Sequence, residues 1–250
     1  MAVDEALLAS YASSSPPDGP TLRLYGWHPP ALSLGRSQSA STACDPAYLR
    51  SQTIDLVRRP TGGGAVLHEH ERTYAVVGRL RREPFPGGVL DTYRRVAAAL
   101  CAALRAVGVD ARAVERSGAS GSARPAALCF AATSAHEITV DGLKLVGSAQ
   151  LRRGGAFLQH GSILIRADLD RQRRATCYSG PAPASTDLDD QVGSMAEAAL
   201  DRALVEAFQE CFAAELRPGE LSATELEQAT WLRAWKYHTR RWTFEGRATR

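Results

Sequence analysis

Arg58-Arg59-Pro60-Thr61-Gly62-Gly63-Gly64-Ala65-Val66-Leu67-His68 is the stretch on which the fold turns. Residues 55–59 before the glycines and 65–68 after them both read as short strands. Three consecutive glycines therefore join strand to strand. A P-loop would need Gly-Lys-Ser/Thr opening a helix at this point, and a Rossmann fingerprint would need Gly-x-Gly-x-x-Gly in the same context; neither is present. What remains is a glycine-rich turn whose backbone can approach a ligand closely and offer amides to an anion or polar head group, with the paired arginines adding charge.

Working outward, the chain reads as mixed α/β. Val3, Ala6, Leu7 and Tyr11 fall at helical spacing over 2–12, and a Ser/Pro/Gly stretch at 13–20 ends that helix. Strands are expected at 21–26, 31–35 and 73–80, and Asp45-Pro46 opens a helix, with aspartate as cap and proline in the first turn. The segment 88–107 is the clearest amphipathic helix: Val96, Leu100, Leu104 and Val107 share a face, and Gly108 stops it. Residues 116–126 read as a flexible loop. From His136 to Val140, through the turn Asp141-Gly142, to Lys144–Gln150 the pattern is a hairpin, and a third strand over 156–166 follows Gly154-Gly155. A polar, proline-containing loop is expected at 179–194, then helices at 196–214 and 222–235. No repeat is visible, and one domain over 1–250 is the favoured reading.

Composition narrows the function classes. Thirty basic residues against 27 acidic give a formal charge of +3, too balanced to point to a nucleic-acid groove. No apolar run reaches membrane-spanning length, and the N-terminus is acidic, so neither a span nor a signal peptide is expected. Five cysteines without a Cys-x-x-Cys pair argue against a disulfide framework and a thiolate zinc site, and for a reducing, cytoplasmic setting. The histidines are scattered and form no metal set.

Only two of the 30 basic residues are lysines, Lys144 and Lys236. Lys144 sits in Gly142-Leu143-Lys144-Leu145-Val146-Gly147-Ser148-Ala149-Gln150. An ammonium, unlike a guanidinium, can exchange its proton when partly buried or present a compact charge to a carboxylate. Cys129 precedes Lys144 by 15 residues, a separation that a returning hairpin can close. A thiol beside an ammonium ionises more readily, and thiolate is the form that attacks an activated acyl carbon. Cys101 and Cys211, on helices, read as small buried hydrophobes, and Cys44 and Cys177 have no comparable neighbours.

Three blocks, 58–68, 142–150 and Leu158-Gln159-His160-Gly161-Ser162-Ile163-Leu164, taken in order, resemble the signature blocks of the lipoate-protein ligase and octanoyltransferase family. The resemblance runs from Asp4-Glu5-Ala6-Leu7 to about Trp242. It implies an α/β fold of mixed, largely antiparallel sheets flanked by helices, similar to the catalytic domains of biotin ligases and class II tRNA synthetases. It also implies an acyl tunnel beside the glycine-rich segment. The residues carried over as substrate-binding are Arg58, Arg59, Gly62, Gly63, Gly64, Ala65, His68, Gly147, Ser148, Ala149, His160 and Gly161.

Within the family, Ala127-Leu128-Cys129-Phe130 ahead of Lys144 resembles the cysteine block of the octanoyltransferases, and His68-Glu69-His70-Glu71-Arg72-Thr73-Tyr74 resembles their His-Asp-x-Glu-x-Thr-Tyr segment. Glu69 and Ala75 depart from the usual aspartate and serine, and the chain starts at its first helix without the strand the family places before it. The resemblance implies transfer of octanoyl from octanoyl-acyl carrier protein, through Cys129 with Lys144, to a lysine of a lipoyl-domain protein such as glycine cleavage H protein or a 2-oxoacid dehydrogenase E2 subunit. Neither metal nor ATP is needed on that route. Two alternatives stay open: an ATP- and Mg-dependent lipoate-protein ligase, in which Cys129 is a bystander, and an amidotransferase between lipoyl domains. A non-catalytic module that binds carrier protein is disfavoured by the intact Cys129 and Lys144.

Overall fold

The computed structural model describes residues 1–114, 137–180 and 183–247. Cys129, the loop expected at 116–126 and His136 lie outside the described residues.

A six-stranded sheet dominates. In chain order the elements are α1 (Ala2–Tyr11), β1 (Thr21–Tyr25), β2 (Ala31–Leu34), α2 (Ala40–Ala43), α3 (Pro46–Ser51), β3 (Asp55–Arg58), β4 (Val66–His68), β5 (Glu71–Arg79), α4 (Val89–Ala106), β6 (Arg112–Ala113), β7 (Ile138–Val140), β8 (Leu143–Arg153) and β9 (Ala156–Leu164). Then follow α5 (Leu169–Thr176), α6 (Leu188–Val192), α7 (Glu197–Phe212), α8 (Ala223–Leu232), a π-helical turn (Arg233–Tyr237) and α9 (Arg240–Glu245). The large sheet has the order β1-β5-β9-β8-β7-β6 and is antiparallel at every pairing. A second sheet, β3-β2-β4, pairs β2 parallel to β3 and antiparallel to β4.

Alternation along β5 shows why the large sheet is covered on both faces. Tyr74 and Val76 point into a core shared with Val96, Leu100 and Leu104 of α4 and Phe208 and Phe212 of α7, whereas Ala75 and Val77 pack against Leu7, Leu8 and Tyr11 of α1. The first core is tied by aromatic contacts, with Phe85 edge-on to Phe157 and to Phe212 at centroid distances of 4.6 and 4.9 Å. The small sheet buries Leu32, Leu34 and Leu67 against Leu49 of α3 and Ala175 of α5.

Turn chemistry sets the hairpins. Asp141 and Gly142 take φ of 49° and 80°, the doubly left-handed turn that a two-residue hairpin requires, and Gly154 and Gly155 repeat it at 54° and 75° between β8 and β9. Asp45 caps α3 through Ala47 N and Tyr48 N, as the sequence predicts. The structure adds elements to the sequence reading, among them the two-residue strand β6. Helices α2, α5 and α9 appear where none was expected, and α6 lies inside the stretch 179–194 read as loop.

Candidate active site

The two sheets meet along a narrow, partly open cleft. One wall comes from the small sheet and its glycine turn, through Ser33 of β2, Arg59, and Val66 and His68 of β4. Thr73 of β5, Gly147–Ala149 of β8 and His160–Ser162 of β9 form the other. Ladder register brings the last two groups together, Gly147 opposite Ser162, Ser148 opposite Gly161 and Ala149 opposite His160.

Small residues here make room. A Cβ on Gly161 would lie 2.4 Å from Gly147 O and 2.6 Å from the Tyr74 ring, so the close approach of β9 to β8 needs glycine. Tyr74 and Ser148 hydroxyls are 2.6 Å apart, and Gln159 Nε2 donates to Tyr74 Oη at 3.4 Å. Burial pushes the Tyr74 phenol up to about 12, so it keeps its proton at neutral pH, and either hydroxyl of the pair can donate to the other. Ser162 lines the cleft, and its Oγ is buried and without a hydrogen-bond partner in the protein.

His160 and His68 are held differently. His160 lies 2.7 Å from Thr61 Oγ1 through Nε2, and its Nδ1 faces Asp4 Oδ2 at 3.6 Å, beyond hydrogen-bond length. Burial lowers its pKa despite the pull of Asp4, so the ring is neutral at pH 7. His68 is anchored at both nitrogens, with Glu71 Oε1 2.7 Å from Nδ1 and Ser33 Oγ 2.7 Å from Nε2, and Trp27 stacks on its ring with centroids 4.3 Å apart.

The paired arginines part company. Arg59 reaches the cleft wall, and its guanidinium donates to Gly62 O, Gly64 O, Ser33 O and Ser33 Oγ, folding the glycine turn back on itself. Gly63 takes φ of 96°, which only glycine adopts freely, and its carbonyl abuts Gly35. Arg58 does not line the cleft. Only 1% exposed, it donates Nε to Trp242 O and Thr243 O and Nη1 to Gly35 O, Arg36 O and Gln38 O, while Trp242 Nε1 donates to Arg58 O. It is a clamp that fastens α9 to β3. Gly62, Gly63, Gly64 and Ala65 also lie off the cleft lining, and Ala65 is in the core of the small sheet.

Lys144 is fully buried in β8 and donates Nζ to Glu137 Oε1 at 2.5 Å. Its backbone is bracketed by Ala184 O, which accepts from Lys144 N, and Thr186 N, which donates to Lys144 O. It shares a face of β8 with Ser148, four residues and roughly 13 Å along the strand from it. The sequence reading did not single out Ser33, Thr73, Ser162, Glu71 or Asp4. Glu71 and Thr73 stand in a quoted motif, but Ser33 carries no local signal at all. Among the described residues no set of His, Cys, Asp and Glu could hold a metal, and no helix is long and apolar enough to cross a membrane.

Residues 1–217 match the model of the lipoyl protein ligase A/B catalytic domain. Octanoyltransferase LipM of Kyrpidia tusciae is 41% identical over 260 residues, covering 98% of this chain and 93% of that protein. Octanoyltransferase LipM of Bacillus subtilis is 33% identical with the same coverage. Among solved structures, protein Ta0514 of T. acidophilum with bound lipoic acid superposes with a TM-score of 0.80 at 26% identity, covering 98% of this chain and 92% of that one. A lipoate-protein ligase A bound with ATP gives the same score and identity, covering 97% and 92%.

Proposed function

The chain belongs to the lipoyl protein ligase A/B catalytic-domain family, and from that premise we propose how it performs octanoyl transfer, the activity of lipoate biosynthesis that it shares with its bacterial relatives. The acceptor is a lysine of a lipoyl-domain protein. The donor is octanoyl-acyl carrier protein, and glycine cleavage H protein and 2-oxoacid dehydrogenase E2 subunits are the acceptors of choice. The single observation that carries this reading is the narrow, predominantly apolar cleft between the sheets, with Gly147 and Gly161 in its lining, which suits a slender acyl chain.

Cys129 thiolate attacks the thioester carbonyl, a C–S bond forms, and the carrier leaves as its thiolate. The acceptor amine then attacks the acyl-enzyme, the C–N bond forms, and Cys129 leaves as thiolate. A sulfur nucleophile serves both halves because it also leaves well. Lys144, buried on β8 and paired with Glu137, supplies the cation that favours Cys129 thiolate. Ser148, hydrogen-bonded to Tyr74 and lining the cleft, donates to the acyl carbonyl oxygen as charge develops there. The thioester arrives activated, so the route calls on neither ATP nor Mg. A reducing compartment such as the cytoplasm keeps the nucleophile available, consistent with Cys44, Cys101, Cys177 and Cys211 all being free.

Structures similar to this one include a ligase bound with ATP, which makes adenylation the reading to test against. The purified protein is given a lipoyl domain and either octanoyl-carrier protein without ATP or octanoate with ATP and Mg. Product from the first mixture alone is expected; product from the second alone would overturn the proposal.

A further inference from the structure

His68 and Glu71 have a geometry that acyl binding does not require. Arg59 Nη1 donates to Ser33 Oγ at 3.0 Å, so the serine proton is free to go to His68 Nε2, 2.7 Å away. The ring then carries its own proton on Nδ1 and donates it to Glu71 Oε1 at 2.7 Å. Every donor in this chain points the same way, from the cleft to the carboxylate. Thr73 Oγ1, which accepts from Trp27 Nε1, also donates to Glu71 Oε1, so that oxygen is doubly held. The other oxygen, Glu71 Oε2, is buried with no hydrogen-bond partner in the protein.

Glu71 lines a second cavity, of about 20 Å³, which shares no lining residue with the acyl cleft. Gln172 of α5 lines it too, and its Nε2 is likewise buried and unpartnered. An unpaired acceptor and an unpaired donor in one polar cavity make a water site. His70, Arg166 and Asp168, all exposed, line this cavity and an adjoining cleft that carries it to the surface. Ser33, His68 and Glu71 thus form a hydrogen-bonded chain from the acyl cleft to the wall of the second cavity.

The geometry points to Ser33, His68 and Glu71 as a proton relay that takes the proton from the attacking lysine amine and delivers it to the second cavity. The inference rests on the acyl-transfer reading above. When the amine attacks the octanoyl thioester, the C–N bond forms, the C–S bond breaks with its electron pair going to Cys129 sulfur, and the nitrogen carries one proton too many. Ser33 Oγ accepts that proton while passing its own to His68 Nε2, and His68 passes the Nδ1 proton to Glu71, from which it leaves to water in the second cavity. Ser33 is the catalytic residue of the relay. Glu71 fixes the His68 tautomer through Oε1 and is the acceptor of the proton that His68 releases.

The test isolates the second half-reaction. Octanoyl-enzyme is formed from octanoyl-carrier protein, separated, and discharged to a lipoyl domain in mixtures of H₂O and D₂O. Unaltered protein should show a solvent isotope effect with a curved dependence on deuterium fraction, as several protons move together. Glu71→Gln and Ser33→Ala should discharge on the order of 10²-fold more slowly, with the curvature gone and the concentration of lipoyl domain at half-maximal rate unchanged. A packing defect alone would slow discharge without altering the isotope dependence. Discharge by both variants at the unaltered rate and isotope effect would overturn the relay. Failure of the unaltered protein to carry octanoyl on Cys129 would instead overturn the acyl-enzyme reading beneath it.

Discussion

Gly161 and His160, neighbours on β9, show how single side chains set the cleft. Replacing Gly161 with alanine drives a Cβ into Gly147 O, which is backbone and cannot swing aside, so the strands must part. Gly161→Ala should lower stability by about 1–3 kcal/mol, read as a fall in Tm, and abolish octanoyl loading, read by mass. His160 makes a pH prediction. Its burial, opposed by Asp4 and reinforced by Arg59 and the N-terminal ammonium, depresses the folded pKa below 6.5. As pH falls below about 6.5 the unfolded chain binds a proton that the folded chain does not, so stability is lost by at most roughly 1.4 kcal/mol per pH unit. The Tm of the unaltered protein should therefore fall more steeply between pH 7 and pH 5 than that of His160→Gln; parallel curves would contradict the burial argument. Lys144→Arg keeps charge but places a larger fork where an ammonium is fully enclosed against Glu137, and octanoyl transfer should drop on the order of 10²-fold.

Among the elements, α9 is held by something outside itself. The six-residue helix is too short to stand alone, yet its carbonyls are gathered by Arg58 from β3, and Lys236 and Tyr237 just before it donate to Glu5 of α1 at 2.6 Å each. Arg58→Met leaves several buried carbonyls unpaired and should cost about 3 kcal/mol, with hydrogen exchange fastest in α9 and β3. This dependence on distant partners explains what the sequence reading missed. α4 and the β7–β8 hairpin were legible because Val96, Leu100 and Leu104 repeat at helical spacing and Asp141-Gly142 dictates its turn. α5 was not, because in Leu-Asp-Arg-Gln-Arg-Arg-Ala-Thr the buried positions are Gln172, Ala175 and Thr176, which give no apolar stripe. α6 spans five residues and buries only Leu188, so nothing in 179–194 distinguished it from loop.

At the scale of the molecule, the site is a seam between two sheets, and that decides how much of it a sequence can show. Arg59, His68, Gly147–Ala149, His160 and Gly161 stand in three recognisable blocks and all line the cleft, while Ser33 and Thr73 reach it only because β2 and β5 are brought there by sheet pairing. Arg58 belongs to the same block as Arg59 but faces the other way, since alternate residues leaving β3 point to opposite sides. The central claim is that octanoyl passes through a covalent enzyme intermediate on Cys129. The direct measurement is the mass of the protein and its peptides after mixing with octanoyl-carrier protein, without ATP and without acceptor. One octanoyl group on the Cys129 peptide, released by hydroxylamine and transferred to a lysine amide when a lipoyl domain is added, is the predicted result. An unmodified Cys129 peptide together with ATP-dependent formation of the same amide would contradict it.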